Sequence, residues 1–203
     1  MNLKENLLPV MEMFYTIQGE GEHTGKAAFF IRIGGCDVGC VWCDVKDSWD
    51  AEKHPLLSIN QILEEVSKYP AGICVVTGGE PMMYDLMELT TALKQNGWRT
   101  HLETSGAYPI SGNWDWICVS PKKFKPPLET SLAVANELKA IIFHPSDFSW
   151  AESFINKLNP TCKLMLQPEW SKSDQITSSV VDFVKLHPWW KISLQTHKYI
   201  NVP

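Results

Sequence analysis

Residues 27–44 read AAFFIRIGGCDVGCVWCD, and the fold prediction depends on the change of pattern inside this stretch. Apart from Arg32, its first seven residues are apolar and rich in β-forming side chains, which predicts a buried strand. A loop dense in glycine and cysteine follows at once. The same order, an apolar strand and then a polar turn, recurs along the chain. The polar turns are residues 36–43, 77–81, 103–106, 120–122, 167–169 and 195–198.

Helical patterns alternate with these strands and complete the fold prediction. They cover residues 58–68, 84–95, 150–158 and 173–186. Such alternation predicts a mostly parallel sheet covered by helices. About six βα units fit in 203 residues, whereas a full eight-unit barrel takes about 250. We therefore predict an α/β protein with one domain, residues 1–203, folded as a partial (incomplete) TIM-like α/β barrel of about six strands.

The placement of the turns predicts an enzyme. In an α/β barrel the carboxyl ends of the strands gather on one face, where active sites are built. Six polar turns would therefore meet in one cavity.

The composition of the chain restricts the kinds of partner that the protein can bind and the cellular compartment in which it is expected. The net charge of −5 argues against a general nucleic-acid surface, which needs a basic patch. No run approaches the roughly 20 apolar residues that span a bilayer, so no membrane partner is expected. The N-terminus shows no targeting segment, which predicts a cytoplasmic protein. In that compartment, clustered cysteines are ligands or redox groups rather than disulfides.

Three cysteines, Cys36, Cys40 and Cys43, lie close enough in sequence to wrap one metal centre. A cubane iron–sulfur cluster takes four ligands, so three thiolates would leave one iron open to a substrate or cofactor. Trp42 is expected to pack against the cluster or a bound adenine. Two alternatives remain: a structural zinc site with Asp or His as fourth ligand, and a redox pair of Cys40 and Cys43.

The spacing Cys-x3-Cys-x-aromatic-Cys resembles the radical S-adenosylmethionine superfamily. That resemblance implies a [4Fe-4S] cluster on Cys36, Cys40 and Cys43, which are then the catalytic and metal-binding residues. It also implies S-adenosyl-L-methionine (SAM) on the open iron, cleaved reductively to a 5′-deoxyadenosyl radical. The electron would come from a donor of the flavodoxin or ferredoxin type.

Within that superfamily nearly the whole chain resembles the 7-carboxy-7-deazaguanine synthases of queuosine biosynthesis. The most discriminating segments are FYTIQGEG at residues 14–21 and LQTHK at 194–198, before a proline-terminated tail. The resemblance implies a homodimeric radical SAM lyase. It would convert 6-carboxy-5,6,7,8-tetrahydropterin to 7-carboxy-7-deazaguanine through hydrogen abstraction, ring contraction and release of ammonia.

The resemblance also implies site residues. For some of them, the chemistry of the side chain suits the implied ligand. Glu80 offers a carboxylate to the ammonium group of SAM. Arg32, in an otherwise apolar strand, offers a bidentate clamp for the pterin carboxylate. The implied cofactor-binding residues are Trp42, Cys43, Asp44, Gly79, Glu80, Ser120, Pro121, Lys122 and Gln167. The implied substrate-binding residues are Ile17, Gln18, Gly19, Arg32, Thr77 and Pro203.

One position departs from the family pattern. The family has threonine or serine after Cys-Asp as a magnesium ligand, whereas this chain has Val45, which cannot coordinate Mg²⁺. Either Mg²⁺ binds without that side chain, or Asp44, Asp47 or Ser48 compensates, or Mg²⁺ matters less here. Two other functions share part of the pattern: a radical SAM activase for a glycyl-radical protein, and a non-catalytic metal-binding module.

Overall fold

The structure is a computed structural model that describes residues 6–203. The predictions of a domain starting at residue 1 and of no targeting segment therefore fall partly on residues 1–5, outside the described residues. The strands are β1 Leu7–Ile17, β2 Ala27–Ile33, β3 Leu56–Ser58, β4 Ile73–Gly78, β5 Arg99–Thr104, β6 Trp116–Val119, β7 Glu137–Ile142, β8 Lys163–Pro168 and β9 Trp190–Ile192. The helices are α1 Ile59–Val66, α2 Met87–Gln95, α3 Glu129–Ala133, α4 Ser146–Glu152, α5 Ser173–Leu186 and α6 Thr196–Ile200.

The strands form one sheet in the order β3-β1-β2-β4-β5-β6-β7-β8-β9. All neighbours from β2 to β9 pair in parallel, while β1 pairs antiparallel with both β2 and β3. The sheet is not closed, so the predicted α/β class and incomplete barrel are confirmed. It is larger than about six strands because β1 and β3 were not predicted. β1 contains Pro9, and β3 has three residues, so neither resembles an ordinary strand in sequence.

The apolar core lies between the sheet and its outer helices. Leu102 of β5 and Val76 of β4 face outward and pack with Ile62 of α1 and Leu89 of α2. A second cluster on the other half of the sheet joins β7 and β8 to α5, where Val180 is fully buried. This burial fixes which side chains of each strand face the barrel interior, because successive residues alternate sides.

The segment after β1 bridges the two ends of the open sheet. Gly19 O accepts hydrogen bonds from Thr196 N at 2.8 Å and Thr196 Oγ1 at 2.9 Å. Gly21 N donates to Ser193 Oγ at 2.9 Å. These contacts bring the FYTIQGEG segment and the C-terminal segment together beside the ends of the parallel strands.

Candidate active site

A cavity of about 290 Å³ lies at the carboxyl ends of the strands. Each of the six turns predicted from sequence contributes at least one residue to its lining. The assigned residues that line it are Ile17, Gln18, Gly19, Arg32, Cys36, Cys40, Trp42, Cys43, Asp44, Thr77, Gly79, Ser120, Lys122, Gln167 and Pro203. Glu80 and Pro121 do not line it.

The cysteine loop follows β2 and is held on both sides by backbone hydrogen bonds. Cys36 N donates to Trp49 O at 3.1 Å, and Gly35 O accepts from Glu80 N at 2.8 Å. Gly35 has φ = 99°, a left-handed conformation that glycine adopts without strain. Asp37 accepts from Lys125 Nζ at 2.7 Å and from Tyr108 Oη at 2.5 Å, which connects the loop to the segments after β6 and β5.

The donor set of the loop fits an iron–sulfur cluster. Cys36, Cys40 and Cys43 are free thiols that face the same cavity. Within residues 6–203, no three His, Cys, Asp or Glu side chains converge closely enough to hold a single metal ion. A four-iron cluster binds its thiolates through separate irons, so its ligands need not converge on one point. Burial raises the pKa of the Cys40 thiol to about 11, so a bound metal centre is needed to favour its thiolate.

Glu80 is buried behind the cavity rather than in its lining, and its contact with the cofactor stays a prediction. Its carboxylate accepts hydrogen bonds from Thr104 Oγ1 at 2.5 Å, Ser105 N at 2.8 Å and Met82 N at 3.0 Å, and from Ser105 Oγ. Thr104 and Ser105 themselves line the cavity. Glu80 therefore orients two hydroxyl groups of the neighbouring strand end. Pro121 is likewise buried, between the lining residues Ser120 and Lys122.

Another part of the cavity lining carries polar groups suited to a nucleoside. Lys122 Nζ donates to Ser120 O and Ser120 Oγ, both at 2.6 Å, and lies 5.5 Å from the centre of the Trp42 ring. Burial lowers the pKa of Lys122. Gln167 is buried at the end of β8, where Ser193 Oγ donates to its Oε1 at 2.7 Å.

Arg32 and Pro203 also line the cavity. Arg32 Nε donates to Glu12 Oε1 at 2.6 Å across the β1–β2 pair, and no other partner of the guanidinium exists within residues 6–203. Pro203 O accepts from Thr16 Oγ1 at 3.4 Å. A Cβ on Gly19 would lie 2.2 Å from His197 Nδ1, so glycine is needed where the C-terminal segment packs.

At the end of the cysteine loop, the structure reduces the number of side chains that are available to bind Mg²⁺ in the cavity. Val45 lines the cavity, as does Asp44, whereas Asp47 and Ser48 do not. The Ser48 hydroxyl donates to Val45 O at 2.6 Å. Of the three side chains considered as replacements, only Asp44 faces the cavity.

Sequence reasoning missed a buried charge group in the cavity wall. Lys139 Nζ lies 2.6 Å from Glu20 Oε2 and 2.9 Å from Glu103 Oε2. Burial would raise the pKa of Glu20, but the charge of Lys139 and hydrogen bonds from Lys139 and Gln195 outweigh it and hold the pKa at about 2. The two carboxylates raise the pKa of Lys139 despite its burial. The sequence signal for Lys139 was a charged residue within a largely apolar strand, which is the same signal that pointed to Arg32.

Three comparisons describe what the chain is similar to. The Radical SAM superfamily matches residues 30–118. A 7-carboxy-7-deazaguanine synthase of Flavobacterium psychrophilum is 54% identical, with 98% of this chain and 95% of that protein covered. One of Synechocystis sp. is 45% identical, with 96% and 93% covered. The crystal structure of QueE from Escherichia coli superimposes with a TM-score of 0.85 at 32% identity, covering 94% of this chain and 95% of that one.

Proposed function

The chain belongs to the 7-carboxy-7-deazaguanine synthase family, and on that premise we propose a role for each wall of its cavity. It is a radical SAM enzyme that converts 6-carboxy-5,6,7,8-tetrahydropterin to 7-carboxy-7-deazaguanine with release of ammonia. One observation carries the assignment of the site. A single cavity is lined by three thiols of the cluster loop, by Arg32 and by the terminal residue Pro203.

The cluster wall takes the cofactors that the family implies, a [4Fe-4S] cluster and SAM. We assign the cluster to Cys36, Cys40 and Cys43. When bound, these groups supply a 5′-deoxyadenosyl radical. Trp42, Asp44, Gly79, Ser120, Lys122 and Gln167 border the space beside the thiols and are assigned to SAM. Gly79 exposes its backbone there, and a Cβ at this position would lie 2.7 Å from the Cβ of Cys36.

Glu80 and Pro121 remain assigned to SAM in this proposal, and both also order the cavity wall. Glu80 fixes the hydroxyls of Thr104 and Ser105, which then present donors and acceptors to the cavity. Pro121 fixes the backbone between Ser120 and Lys122.

The residues assigned to the pterin are Arg32, Thr77, Ile17, Gln18, Gly19 and Pro203. Because Glu12 accepts from Nε, the terminal nitrogens of Arg32 are left to bind the substrate carboxylate as a fork. Gln18 Oε1 accepts from Glu20 N at 3.1 Å, which turns the start of this loop toward the cavity. Lys139, Glu20 and Glu103 add charges that water does not screen well at this depth.

Magnesium is proposed with Asp44 as its protein ligand. A hard cation prefers oxygen ligands and keeps several waters, so one carboxylate beside substrate oxygens is enough. We expect Mg²⁺ to stimulate product formation by the native chain and to stimulate the Asp44→Asn variant less. Titration of activity with Mg²⁺ in both proteins measures this. Equal stimulation would remove Asp44 from the site.

We propose a cytoplasmic homodimer that receives electrons from a flavodoxin or ferredoxin. No helix within residues 6–203 has the length and apolarity needed to cross a membrane. The end of α5 and the β9 edge expose Leu186, Trp189 and Ile192, an apolar set that a second copy could bury. Light scattering across a concentration series tests the dimer, and a mass that stays at 23.0 kDa would exclude it.

Anaerobic reconstitution tests the function as a whole. The protein is loaded with iron and sulfide and then incubated with SAM, the tetrahydropterin and a reductant. We expect 7-carboxy-7-deazaguanine and ammonia in equal amounts. Deoxyadenosine without a deazaguanine product would refute the substrate while leaving the radical chemistry in place.

A further inference from the structure

The barrel interior below the active cavity is polar along β5, β6 and β7. His101 pairs in register with Trp116, and Glu103 with Cys118, which pairs in turn with Glu137. Residues in register point to the same side of a sheet, so these side chains face inward together. A barrel interior is ordinarily filled by branched apolar residues. Ionisable groups buried there therefore call for a functional explanation.

The polar residues form successive levels below the cavity. Glu103 and Lys139 line the active cavity itself. Below them Glu137 Oε2 accepts hydrogen bonds from Trp116 Nε1 at 3.1 Å and Glu22 N at 3.2 Å. His101 and the partly exposed His23 lie farthest from the active cavity. Their ring centres are 4.5 Å apart.

A second, small cavity lies among these side chains. Its volume is about 10 Å³, close to what one water molecule requires. The lining residues are Gln18, Glu20, His23, His101, Leu102, Glu103, Trp116 and Glu137, and three of them, Gln18, Glu20 and Glu103, also line the active cavity. The small cavity is thus separated from the active cavity only by shared side chains.

Several atoms around the small cavity are buried without a hydrogen-bond partner within residues 6–203. They are His101 Nε2, Glu137 Oε1 and both ring nitrogens of His23. His101 is 3% exposed and Glu137 is 2% exposed. Buried polar groups in proteins are nearly always hydrogen-bonded, to protein or to ordered water. One water molecule could satisfy several of these atoms at once.

We propose that the small cavity binds one water molecule that joins His101 and Glu137 to Glu103, forming a proton path from the lower end of the barrel to the active cavity. The proposal rests on the proposed function, because the path serves the ammonia that the reaction releases. His23, which is partly exposed although both of its ring nitrogens are buried, is the outermost member of the path.

The proton balance of the step is simple. Departing ammonia takes up one proton to leave as ammonium. Glu103, ionised beside Lys139, relays this proton: the water passes a proton from Glu137 to one Glu103 oxygen, and the transient O–H bond breaks as the new N–H bond of ammonium forms. Solvent replaces the proton of Glu137 through His23 and His101. No electrons are exchanged. Each neutral imidazole can accept a proton at one nitrogen while it releases one from the other.

The electrostatic surroundings suit these roles. Burial raises the pKa of Glu137, which favours a stored proton, and burial lowers the pKa of His23 and, to about 3, that of His101, which keeps both rings neutral. The charged and titratable groups that act on this set are Glu20, Glu22, Lys26, Arg99, Glu103, Asp115, Cys118 and Lys139.

The Glu137→Gln variant of the reconstituted enzyme tests the path, because glutamine keeps the shape and cannot store a proton. We expect kcat to fall at least about tenfold, with KM for the pterin and iron content unchanged. The loss should grow as pH rises, and the solvent deuterium isotope effect on kcat should increase. Asp147→Asn is the matched control, since Asp147 is 7% exposed in α4 outside the barrel interior, and it should leave all of these values unchanged.

A wild-type pH profile and isotope effect in Glu137→Gln would overturn the path. If that variant does not fold, His23→Phe keeps the ring stacking and is measured in the same way. A crystal structure of the wild-type protein provides a test independent of activity. Density for one water within hydrogen-bond distance of His101 Nε2 and Glu137 Oε1 supports the proposal, and its absence refutes it. A wild-type enzyme that makes no deazaguanine would instead refute the proposed function.

Discussion

At the scale of single residues, the three cysteines of the loop differ from the other three cysteines because they face the active cavity. Cys36, Cys40 and Cys43 line the active cavity, whereas Cys74 and Cys118 are buried in strands and Cys162 is only partly buried outside it. We expect Cys36→Ser to lose most cluster iron and all detectable deoxyadenosine formation, because a hydroxyl is a poor ligand for iron–sulfur clusters.

Iron content and visible absorbance after anaerobic reconstitution measure this effect. Cys162→Ser is the control and should keep the iron content of the native chain. A Cys36→Ser protein with full iron content would remove Cys36 from the cluster.

Arg32 supplies the second residue-scale prediction. Its guanidinium is fixed by Glu12 and cannot be replaced by an ammonium group with equal geometry. Arg32→Lys should raise KM for the pterin by about tenfold to a hundredfold, which corresponds to about 1.4–2.7 kcal/mol of lost charge-assisted hydrogen bonding. Because this interaction holds substrate and transition state alike, kcat should change little.

Steady-state kinetics against pterin concentration separate the two constants. Arg99→Lys, at the exposed start of β5, is the matched control. An unchanged KM in Arg32→Lys would mean that another group binds the carboxylate.

At the scale of elements, the docking of α6 completes the cavity. The helix begins at Thr196, which donates twice to Gly19 O, and it ends at Ile200, before Asn201, whose φ of 55° is left-handed. Lys198 and Gln195 reach Asp44 at 3.6 Å and 3.5 Å, so the C-terminal segment also contacts the cluster loop. The short helix is therefore held by its contacts rather than by its own length.

Gly19→Ala should displace this segment. The added Cβ would lie 2.2 Å from His197 Nδ1, so His197 and the residues after it must shift. We expect a higher KM for the pterin and a loss of about 1–3 kcal/mol in the free energy of unfolding, as overpacking usually costs. Gly72→Ala is the control, because its nearest heavy atom is 4.0 Å away. A wild-type KM would show that the terminal segment does not bind substrate.

At the scale of the whole molecule, Lys139 joins parts of the chain that are far apart in sequence. It pairs with Glu20, 119 residues away, and with Glu103, 36 residues away. Lys139→Met would leave two carboxylates without their cation, and breaking a buried ion pair costs about 3–5 kcal/mol. Urea unfolding at neutral pH measures the difference, and a loss below about 1 kcal/mol would contradict the prediction.

The ion pair between Lys139 and Glu20 makes the free energy of unfolding depend on pH. The pKa of Glu20 falls from 4.5 to about 2 on folding. Between these values the unfolded chain binds a proton that the folded chain does not, so this stabilisation is full above pH 4.5 and is lost as pH falls toward about 2. We expect the native chain to lose more unfolding free energy than Lys139→Met between pH 5 and pH 3. Equal losses would mean that Lys139 does not stabilise the carboxylate.

The sequence by itself determined the cluster loop, the strand–turn alternation and most of the cavity lining. These are local properties: cysteine spacing, the period of apolar residues and the polar turn that ends each strand. α5 was predicted at its observed bounds, residues 173–186, because its periodicity is long and uninterrupted. β1 was missed because strand formation there depends on pairing with β2 and β3.

Only the tertiary structure decided which polar groups meet. It placed Thr104 and Ser105 on Glu80, brought Lys139 to Glu20, and gathered His23, His101 and Glu137 beneath the active cavity. The physical reason is register: parallel neighbours far apart in sequence align by hydrogen bonding across the sheet, and no local pattern contains that alignment. The cysteine loop could thus be identified from its spacing, while the chemistry beneath it depended on how the strands of the incomplete barrel pack together.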